Sequence, residues 1–176
     1  MAPAFEIPSE GVKGGDDKDI TATCFCGAVQ IQFPVDKVVD TFICNCTDCH
    51  KLTASAFASN FIIKESDTIH TRGKDKLSKW NQNKTIKSGN YMENNFCSIC
   101  GSLMYRISSG YPGLLIPRIG TVDDYNLQST KFKPRLEQFT ENRLHWLHGG
   151  EGVKQFKGAG PLGEPFEGEK EVKLHL

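Results

Sequence analysis

The stretch Cys44-Asn45-Cys46-Thr47-Asp48-Cys49, followed by His50-Lys51, decides how this chain folds, because it places three cysteines within six residues. The other four of the seven cysteines form two pairs, in Cys24-Phe25-Cys26-Gly27 and in Cys97-Ser98-Ile99-Cys100-Gly101. Cysteines separated by one or two residues have poor geometry for disulfides and good geometry for chelating one metal ion. An odd number of cysteines also fits a closed disulfide framework poorly. The spacing therefore predicts metal binding, with a disulfide or free-thiol set as the alternative.

The composition restricts the classes of protein to which this chain can belong. Its 176 residues are enough for one domain with a hydrophobic core, and 21 basic residues balance 21 acidic ones. A neutral chain without a basic run predicts no nucleic-acid partner, and the lack of a long apolar stretch predicts no membrane partner. The N-terminal residues lack the features of a signal peptide. We therefore expect a cytoplasmic protein whose thiols stay reduced.

Short segments rich in β-branched and aromatic residues predict a mainly β domain over residues 19–150. One of them alternates Val29, Ile31 and Phe33 with glutamines, which is the signature of a half-buried strand. The predicted strands cover residues 20–24, 28–33, 38–44, 55–64, 75–82, 91–96, 101–107 and 114–122, and residues 50–54 are predicted as a turn of helix. Residues 136–140 and 144–147 are expected to cover one edge of the sheet.

The two ends of the chain differ in composition from its centre. Residues 1–18 are rich in glycine, proline and charge and predict a flexible N-terminal arm. Residues 151–176 also contain several glycines and prolines and are predicted as a C-terminal tail. A single domain between two arms is therefore expected.

The seven cysteines divide most simply into a set of four and a set of three. The two outer pairs lie far apart in the chain, so one metal ion bound by both would join distant strands. A four-thiolate zinc site is structural, whereas a site with three protein ligands keeps one position open for water or substrate. The alternative is that His50 closes the three-cysteine site as a further structural centre. Neighbouring residues in an extended chain point to opposite sides, which disfavours His50 as a ligand beside Cys49.

Other polar residues carry weaker signals. Arg106, Arg118, Lys51 and Arg143 are each candidates to bind a substrate carboxylate, although a single such side chain is more often a solvated surface charge. The pair Asp123-Asp124 is first of all typical of a turn.

The order of the cysteines resembles one known family, the glutathione-dependent formaldehyde-activating enzymes, also called the centromere-protein-V/GFA domain. The resemblance is carried by three motifs, Cys24-x-Cys26-Gly27, Cys44-x-Cys46-x-x-Cys49-x-Lys51 and Phe96-Cys97-x-x-Cys100-Gly101. Gly120-Thr121-Val122-Asp123-Asp124 and Trp146-Leu147 are similar to two further family motifs. The likeness extends over residues 20–147.

This resemblance implies a single domain of short antiparallel strands, with a GFA-like or Mss4-like fold held together by a four-cysteine zinc site. It implies two zinc ions per chain, a structural one and a catalytic one. The structural ligands would be Cys24, Cys26, Cys97 and Cys100. The catalytic ligands would be Cys44, Cys46 and Cys49.

The activity implied is that of a zinc-dependent carbon–sulfur lyase, which joins glutathione to formaldehyde or cleaves such an adduct. Asn45, His50 and Ala54 stand where the family pattern has His, Arg and Gly, so the implied electrophile is an aldehyde such as formaldehyde or a larger pathway intermediate. Lys51, with His50 and Arg118 behind it, is the candidate for binding the carboxylates of glutathione. A zinc-stabilised, non-catalytic binding module is the alternative, and a homodimer remains open.

Overall fold

The chain folds into two β-sheets and two short α-helices, seen over residues 18–164 in this computed structural model. The elements in chain order are β1 (Ile20–Thr23), β2 (Gln30–Phe33), β3 (Asp40–Cys44), α1 (Thr47–Thr53), β4 (Ala58–Lys64), β5 (Ile69–Arg72), β6 (Leu77–Gln82), β7 (Met92–Cys97), β8 (Leu103–Ser108), β9 (Leu114–Pro117), α2 (Tyr125–Ser129), β10 (Leu136–Gln138) and β11 (Lys154–Gln155). The prediction of a mainly β domain is confirmed. Residues 1–17 of the predicted arm and residues 165–176 of the predicted tail lie outside the described part.

The smaller sheet has three strands in the order β1-β2-β5, and the larger has eight in the order β11-β10-β3-β4-β9-β8-β7-β6. Most neighbouring strands run antiparallel, as predicted. Two pairs are parallel, β10 with β3 and β11 with β10, so the larger sheet is mixed. Parallel neighbours need a long connection, and β10 follows β3 only after most of the domain has been built.

The hydrophobic core lies between the two sheets and is centred on three aromatic rings. Phe33 of β2 and Phe61 of β4 have ring centroids 4.9 Å apart, and Phe61 lies 4.9 Å from Phe132. All three side chains are fully buried. Burial of each such ring contributes about 1.5–3 kcal/mol relative to exposure. The alternating pattern read from residues 28–33 is therefore correct, since Val29 and Ile31 join the same core.

Three strand segments differ from the sequence prediction. Strand β5 was not predicted, since its side chains are only half-buried or exposed and its sequence lacks a buried apolar face. The predicted strand over residues 114–122 ends at Pro117, and a 3-10 turn over Ile119–Thr121 follows. Of the two segments expected at the sheet edge, residues 136–140 contain β10, which lies there beside β11. Residues 144–147 add no strand, and Trp146 there is 68% exposed.

The two helices begin at side chains that cap them. Helix α1 begins at Thr47, earlier than predicted, because the sulfur of Cys46 accepts a hydrogen bond from the Cys49 N–H. Helix α2 was not predicted. It begins after Asp124, whose carboxylate accepts the N–H groups of Asn126 and Leu127. Asp124 is therefore a helix N-cap, whereas the buried Asp123 accepts hydrogen bonds from the hydroxyl groups of Thr21 and Thr23 in β1.

Residues 151–164, placed in the tail by the sequence, pack against the domain. They contain β11, and the Gly163 N–H donates a 2.7 Å hydrogen bond to Asp40 at the start of β3. The same carboxylate accepts two hydrogen bonds from Arg135, at 2.8 and 2.6 Å. The Asp40 side chain is completely buried and that of Arg135 is 3% exposed. Glycine and proline content suggested a tail here, whereas the pairing of β11 with β10 and hydrogen bonds to the buried Asp40–Arg135 pair hold the segment in place.

We expect Asp40→Asn to lower the free energy of unfolding by about 3 kcal/mol, because it removes the buried negative charge that pairs with Arg135. Urea denaturation followed by circular dichroism measures the change. The matched control is Glu93→Gln, which removes the exposed Lys79–Glu93 ion pair (3.1 Å) and should cost less than about 1 kcal/mol. Equal effects of the two substitutions would contradict the assigned role of Asp40.

Candidate metal centres

The first candidate centre joins two hairpin-like turns that belong to different sheets. Cys24 and Cys26 lie between β1 and β2, whereas Cys97 ends β7 and Cys100 lies between β7 and β8. The four sulfur atoms all lie within 4.8 Å of one another. The two turns have the same design, since Gly27 and Gly101 both adopt a left-handed conformation (φ 77° and 76°). Only glycine adopts this conformation without steric cost, which explains the Cys-Gly pairs in the sequence.

Hydrogen bonds orient the sulfurs of this four-cysteine cluster. The Val29 N–H donates to Cys24 Sγ at 3.2 Å, and Ser102 Oγ lies 3.3 Å from Cys100 Sγ. Burial raises the pKa of the Cys24 thiol to about 12. Burial also acts to raise the pKa of Cys100, but hydrogen bonds, those with Ser102 first among them, outweigh it and lower the pKa to about 6. Close thiols with opposed pKa shifts are typical of a site where a cation would hold all four as thiolates.

The second candidate centre contains Cys44, Cys46 and Cys49. Cys44 ends β3, Cys46 caps α1, and Cys49 lies in the first turn of that helix. Their sulfurs lie within 4.8 Å of one another. Cys44 and Cys49 are 4% and 1% exposed, whereas Cys46 is only partly buried. The strand-to-helix transition therefore directs three sulfurs to one point, as the spacing predicted.

Mutual hydrogen bonding spreads the pKa values of the three thiols apart. Hydrogen bonds from Cys44 and Cys49 lower the pKa of Cys46 to about 2, so this residue holds the thiolate. The hydrogen bonds to Cys46 and Cys49, together with burial, raise the pKa of Cys44. Without a metal ion the cluster thus keeps one thiolate stabilised by its neighbours. Three sulfurs that compete for protons at this distance form a donor set ready for a soft or borderline cation.

Two buried arginines lie beside the three-cysteine cluster. Arg106 of β8 is 8% exposed and donates from Nη1 to Cys49 Sγ at 3.5 Å. Arg118, after β9, is 7% exposed and donates from Nη1 to Asn60 Oδ1. Burial and the nearby Arg106 charge lower the pKa of Arg118 to about 10, against the opposing effect of the cysteines. The Arg118 guanidinium therefore remains cationic at neutral pH.

The charges of all three cysteines act on the pKa of Arg118, one of the substrate-binding candidates from the sequence. Arg106 was a candidate on the same footing. Its place in the predicted strand over residues 101–107 was the signal that the sequence offered for its burial. Arg143 instead pairs with Glu137 at 3.1 Å.

His50 and Lys51 lie on helix α1, next to the last of the three clustered cysteines. His50 does not belong to the ligand cluster formed by the described residues, and its Nε2 is buried without a hydrogen-bond partner there. Lys51 is exposed on α1. Residues two apart on a helix do not face the same way, so Lys51 lies on a different face from Cys49. Both remain proposals as substrate-binding residues.

Asn45, which departs from the family pattern, anchors the cysteine loop to the sheet. Its Nδ2 donates to Glu137 Oε1 at 2.9 Å and to the Gln138 carbonyl at 3.2 Å. Its backbone N–H donates to the same carbonyl at 3.1 Å. The position between two ligands is therefore held by β10, and the residue is completely buried.

Both clusters fit a zinc ion by the chemistry of their donors. Four thiolates are a common structural set for zinc, and three thiolates leave one of four tetrahedral positions for another ligand. Sulfur donors within 4.8 Å of one another can share one ion without rearrangement of the backbone. The geometry thus agrees with the division into a four-cysteine and a three-cysteine site.

Comparison with known proteins identifies the family. The family model described as "Glutathione-dependent formaldehyde-activating enzyme" matches residues 19–142. The chain belongs to this family. Its members are glutathione-dependent enzymes, and the two cysteine clusters lie within the matched region. Among curated proteins, none matches the chain.

The crystal structure of a Rhodobacter sphaeroides protein is similar to this chain with a TM-score of 0.46 and 18% sequence identity. The match covers 78% of this chain and 99% of that chain. Within the described residues, neither helix has the length and apolar character needed to cross a membrane.

We expect the zinc-loaded protein to contain two zinc ions that differ in lability. Release from the four-cysteine site requires two hairpins to separate, whereas the three-cysteine site is built from one local stretch. Titration with a chromogenic chelator should release about one equivalent while the far-ultraviolet circular dichroism is unchanged. Loss of both ions together with unfolding would contradict the existence of two independent sites.

Cys97→Ser should prevent folding, because structural zinc contributes roughly 10–16 kcal/mol and a domain has a net stability of only about 5–15 kcal/mol. Cys46→Ser should leave a folded protein that binds one zinc ion, since that cysteine belongs to the local cluster. Circular dichroism and metal analysis of both variants measure the difference. A folded Cys97 variant beside an unfolded Cys46 variant would reverse the assignment of the two sites.

Proposed function

We propose that this protein is a zinc-dependent enzyme that forms or breaks a carbon–sulfur bond between glutathione and an electrophilic carbon. The electrophile is an aldehyde such as formaldehyde or a larger intermediate handled as its glutathione adduct. One observation carries the proposal: three cysteines, one of them partly exposed, converge beside two buried arginines. Family membership supports the dependence on glutathione.

The charges around the three-cysteine cluster favour a thiolate ligand. Three cysteinates exceed a divalent ion by one negative charge, and Arg106 and Arg118 supply two positive charges beside them. A fourth thiolate therefore brings the sum over these groups to zero. In a buried site such a balance matters more than in water, because the effective dielectric constant is lower.

A zinc ion held by Cys44, Cys46 and Cys49 would supply a Lewis acid that lowers the pKa of a thiol at its open position. The residues of the chain account for the rest. The two guanidinium groups keep negative charge in the site and exclude competing cations. When the sulfur of glutathione bonds to a carbonyl carbon, the C=O π bond breaks and its electron pair moves to oxygen. The proton of the thiol ends on that oxygen, and the reverse reaction returns it.

Arg106 is suited to stabilise the negative charge that develops on the carbonyl oxygen in this reaction. Its Nη1 lies 3.5 Å from Cys49 Sγ, so the guanidinium is adjacent to one of the three sulfurs that would hold the zinc ion. A fixed cation at such a place stabilises an oxyanion without reorganisation, which is often the largest contribution to catalysis. Lys51 and His50 belong to the proposal as residues at the rim that bind the peptide part of glutathione. The long side chain of Lys51 is exposed and therefore able to reach a carboxylate.

The alternative is a zinc-stabilised binding module without activity. It would require a protein ligand to close the three-cysteine site. No histidine or carboxylate joins that cluster among residues 18–164. The geometry therefore favours the enzyme. A cytoplasmic location, the absence of nucleic-acid and membrane partners, and a homodimeric state remain parts of the proposal.

The deciding experiment measures the rate at which glutathione and formaldehyde, or members of an aldehyde panel, form their S-hydroxyalkyl adducts. Exchange spectroscopy by NMR separates the catalysed rate from the spontaneous one. We expect the zinc-loaded protein to accelerate the exchange for at least one aldehyde. Cys46→Ser is the matched control and should reduce the rate to that of the uncatalysed reaction. An unaccelerated rate for every aldehyde would contradict the proposed function.

A further inference from the structure

The side-on edge of a guanidinium group, made of Nε and Nη2, is the part that binds a carboxylate with two parallel hydrogen bonds. The protein itself contains such a pair. Arg135 uses Nε and Nη2 to donate to the two oxygens of Asp40, at 2.8 and 2.6 Å. This pair is buried within the fold and is an example, in this chain, of a guanidinium edge occupied by a carboxylate.

Arg118 has the same edge without a partner. Its Nη1 is engaged by Asn60, whereas both Nε and Nη2 are buried and form no hydrogen bond with any residue over 18–164. Nε of Arg106 is likewise buried without a partner, and its Nη1 is directed to Cys49. A buried cation without a counter-ion is costly, because burial removes its hydration. The cost is offset when a ligand with the complementary shape enters.

The position of this edge restricts what the ligand can be. Arg118 is more than nine-tenths buried and lies close enough to Cys44, Cys46 and Cys49 for their charges to act on it. The two atoms are buried in this structure, so a ligand reaches them only after the atoms that cover them move aside. A substrate held at the neighbouring three-cysteine cluster would bring its own polar groups close to this edge. The second cation, Arg106, adds to the attraction for a negatively charged group.

We propose that the Nε/Nη2 edge of Arg118 is a carboxylate-binding subsite of the three-cysteine site, and that a substrate carboxylate near the reacting sulfur occupies it. The inference rests on the proposed function for the presence of a thiol substrate, and it adds the class of group that the site selects. The carboxylate belongs either to the electrophile, next to its reacting carbon, or to glutathione. The two sources share one chemistry and are separated by the choice of ligand.

The first test needs no turnover and no glutathione. Isothermal titration calorimetry of the zinc-loaded protein compares two small thiols, thioglycolate and 2-mercaptoethanol, of which only the first has a carboxylate. Arg118→Lys keeps the positive charge and removes the two parallel donors of the guanidinium edge. We expect it to weaken the binding of thioglycolate about ten-fold and the binding of 2-mercaptoethanol less than two-fold. Arg143→Lys is the control, since Arg143 pairs with Glu137. An unchanged affinity for thioglycolate in Arg118→Lys would overturn the subsite even if the protein proves to be an active enzyme.

A second variant guards against loss of folding. Asn60→Asp places a carboxylate against the Arg118 guanidinium and should also weaken thioglycolate selectively, because it competes for the same charge. The melting temperature and the zinc content of each variant establish that it is folded. Persistence of thioglycolate binding in a folded Asn60→Asp protein would count against the subsite.

The source of the carboxylate follows from a matched pair of glutathione thioethers. S-carboxymethylglutathione has a carboxylate on the added carbon, and S-methylglutathione lacks it. Tighter binding of the first, lost in Arg118→Lys, assigns the subsite to the electrophile. Equal binding of both, weakened equally in Arg118→Lys, assigns it to glutathione.

If neither thioether binds while the binding of thioglycolate still depends on Arg118, the subsite stands and glutathione is not the thiol substrate. If both thioethers bind equally in the parent protein and in Arg118→Lys, the subsite is overturned.

Discussion

The attachment of two sheets through four sulfur atoms is the constraint on which the rest of this structure depends. Cys24 and Cys26 belong to the hairpin of the smaller sheet, and Cys97 and Cys100 to a hairpin of the larger one. With the hairpins joined, the ring cluster around Phe61 is enclosed and β8 is held where Arg106 reaches Cys49. The structural centre therefore sets the distance between the reactive sulfurs and the cations that accompany them.

The three-cysteine site combines groups that are unfavourable when considered alone. Three thiols compete for protons, and two arginines are buried without an acid among the described residues. The arginines supply positive charge to the cysteine sulfurs, and the cysteine thiolates supply negative charge to the arginines. Sites of this kind are costly to fold and useful in catalysis, because the solvent has already been replaced by fixed charges before the substrate arrives. A metal ion bound by the four-cysteine cluster would contribute folding free energy that offsets this cost.

Local spacing made the two cysteine clusters and most strands predictable, because chelation geometry and side-chain alternation are properties of neighbouring residues. Arg106 could not be placed in the same way, since its approach to Cys49 depends on strands far apart in sequence. The same holds for Asn45, which contacts Glu137, and for the order of residues 151–164. Lys51 was expected beside the ligands from its sequence position, but the helical twist after Cys46 turns it to another face. Contacts formed by folding, rather than residue type, decided these positions.

The parallel pairing of β3 with β10 and the hydrogen bond from Gly163 to Asp40 have a consequence for biosynthesis. The residues of the four-cysteine centre have all been translated by Cys100, so that centre is able to form while the chain is still growing. The strand that carries Cys44 receives its last partners only after Arg135 and Gly163 have left the ribosome. The scaffold is thus able to form first, and the strand that carries the first of the three clustered thiols is completed only after residue 163 has been translated.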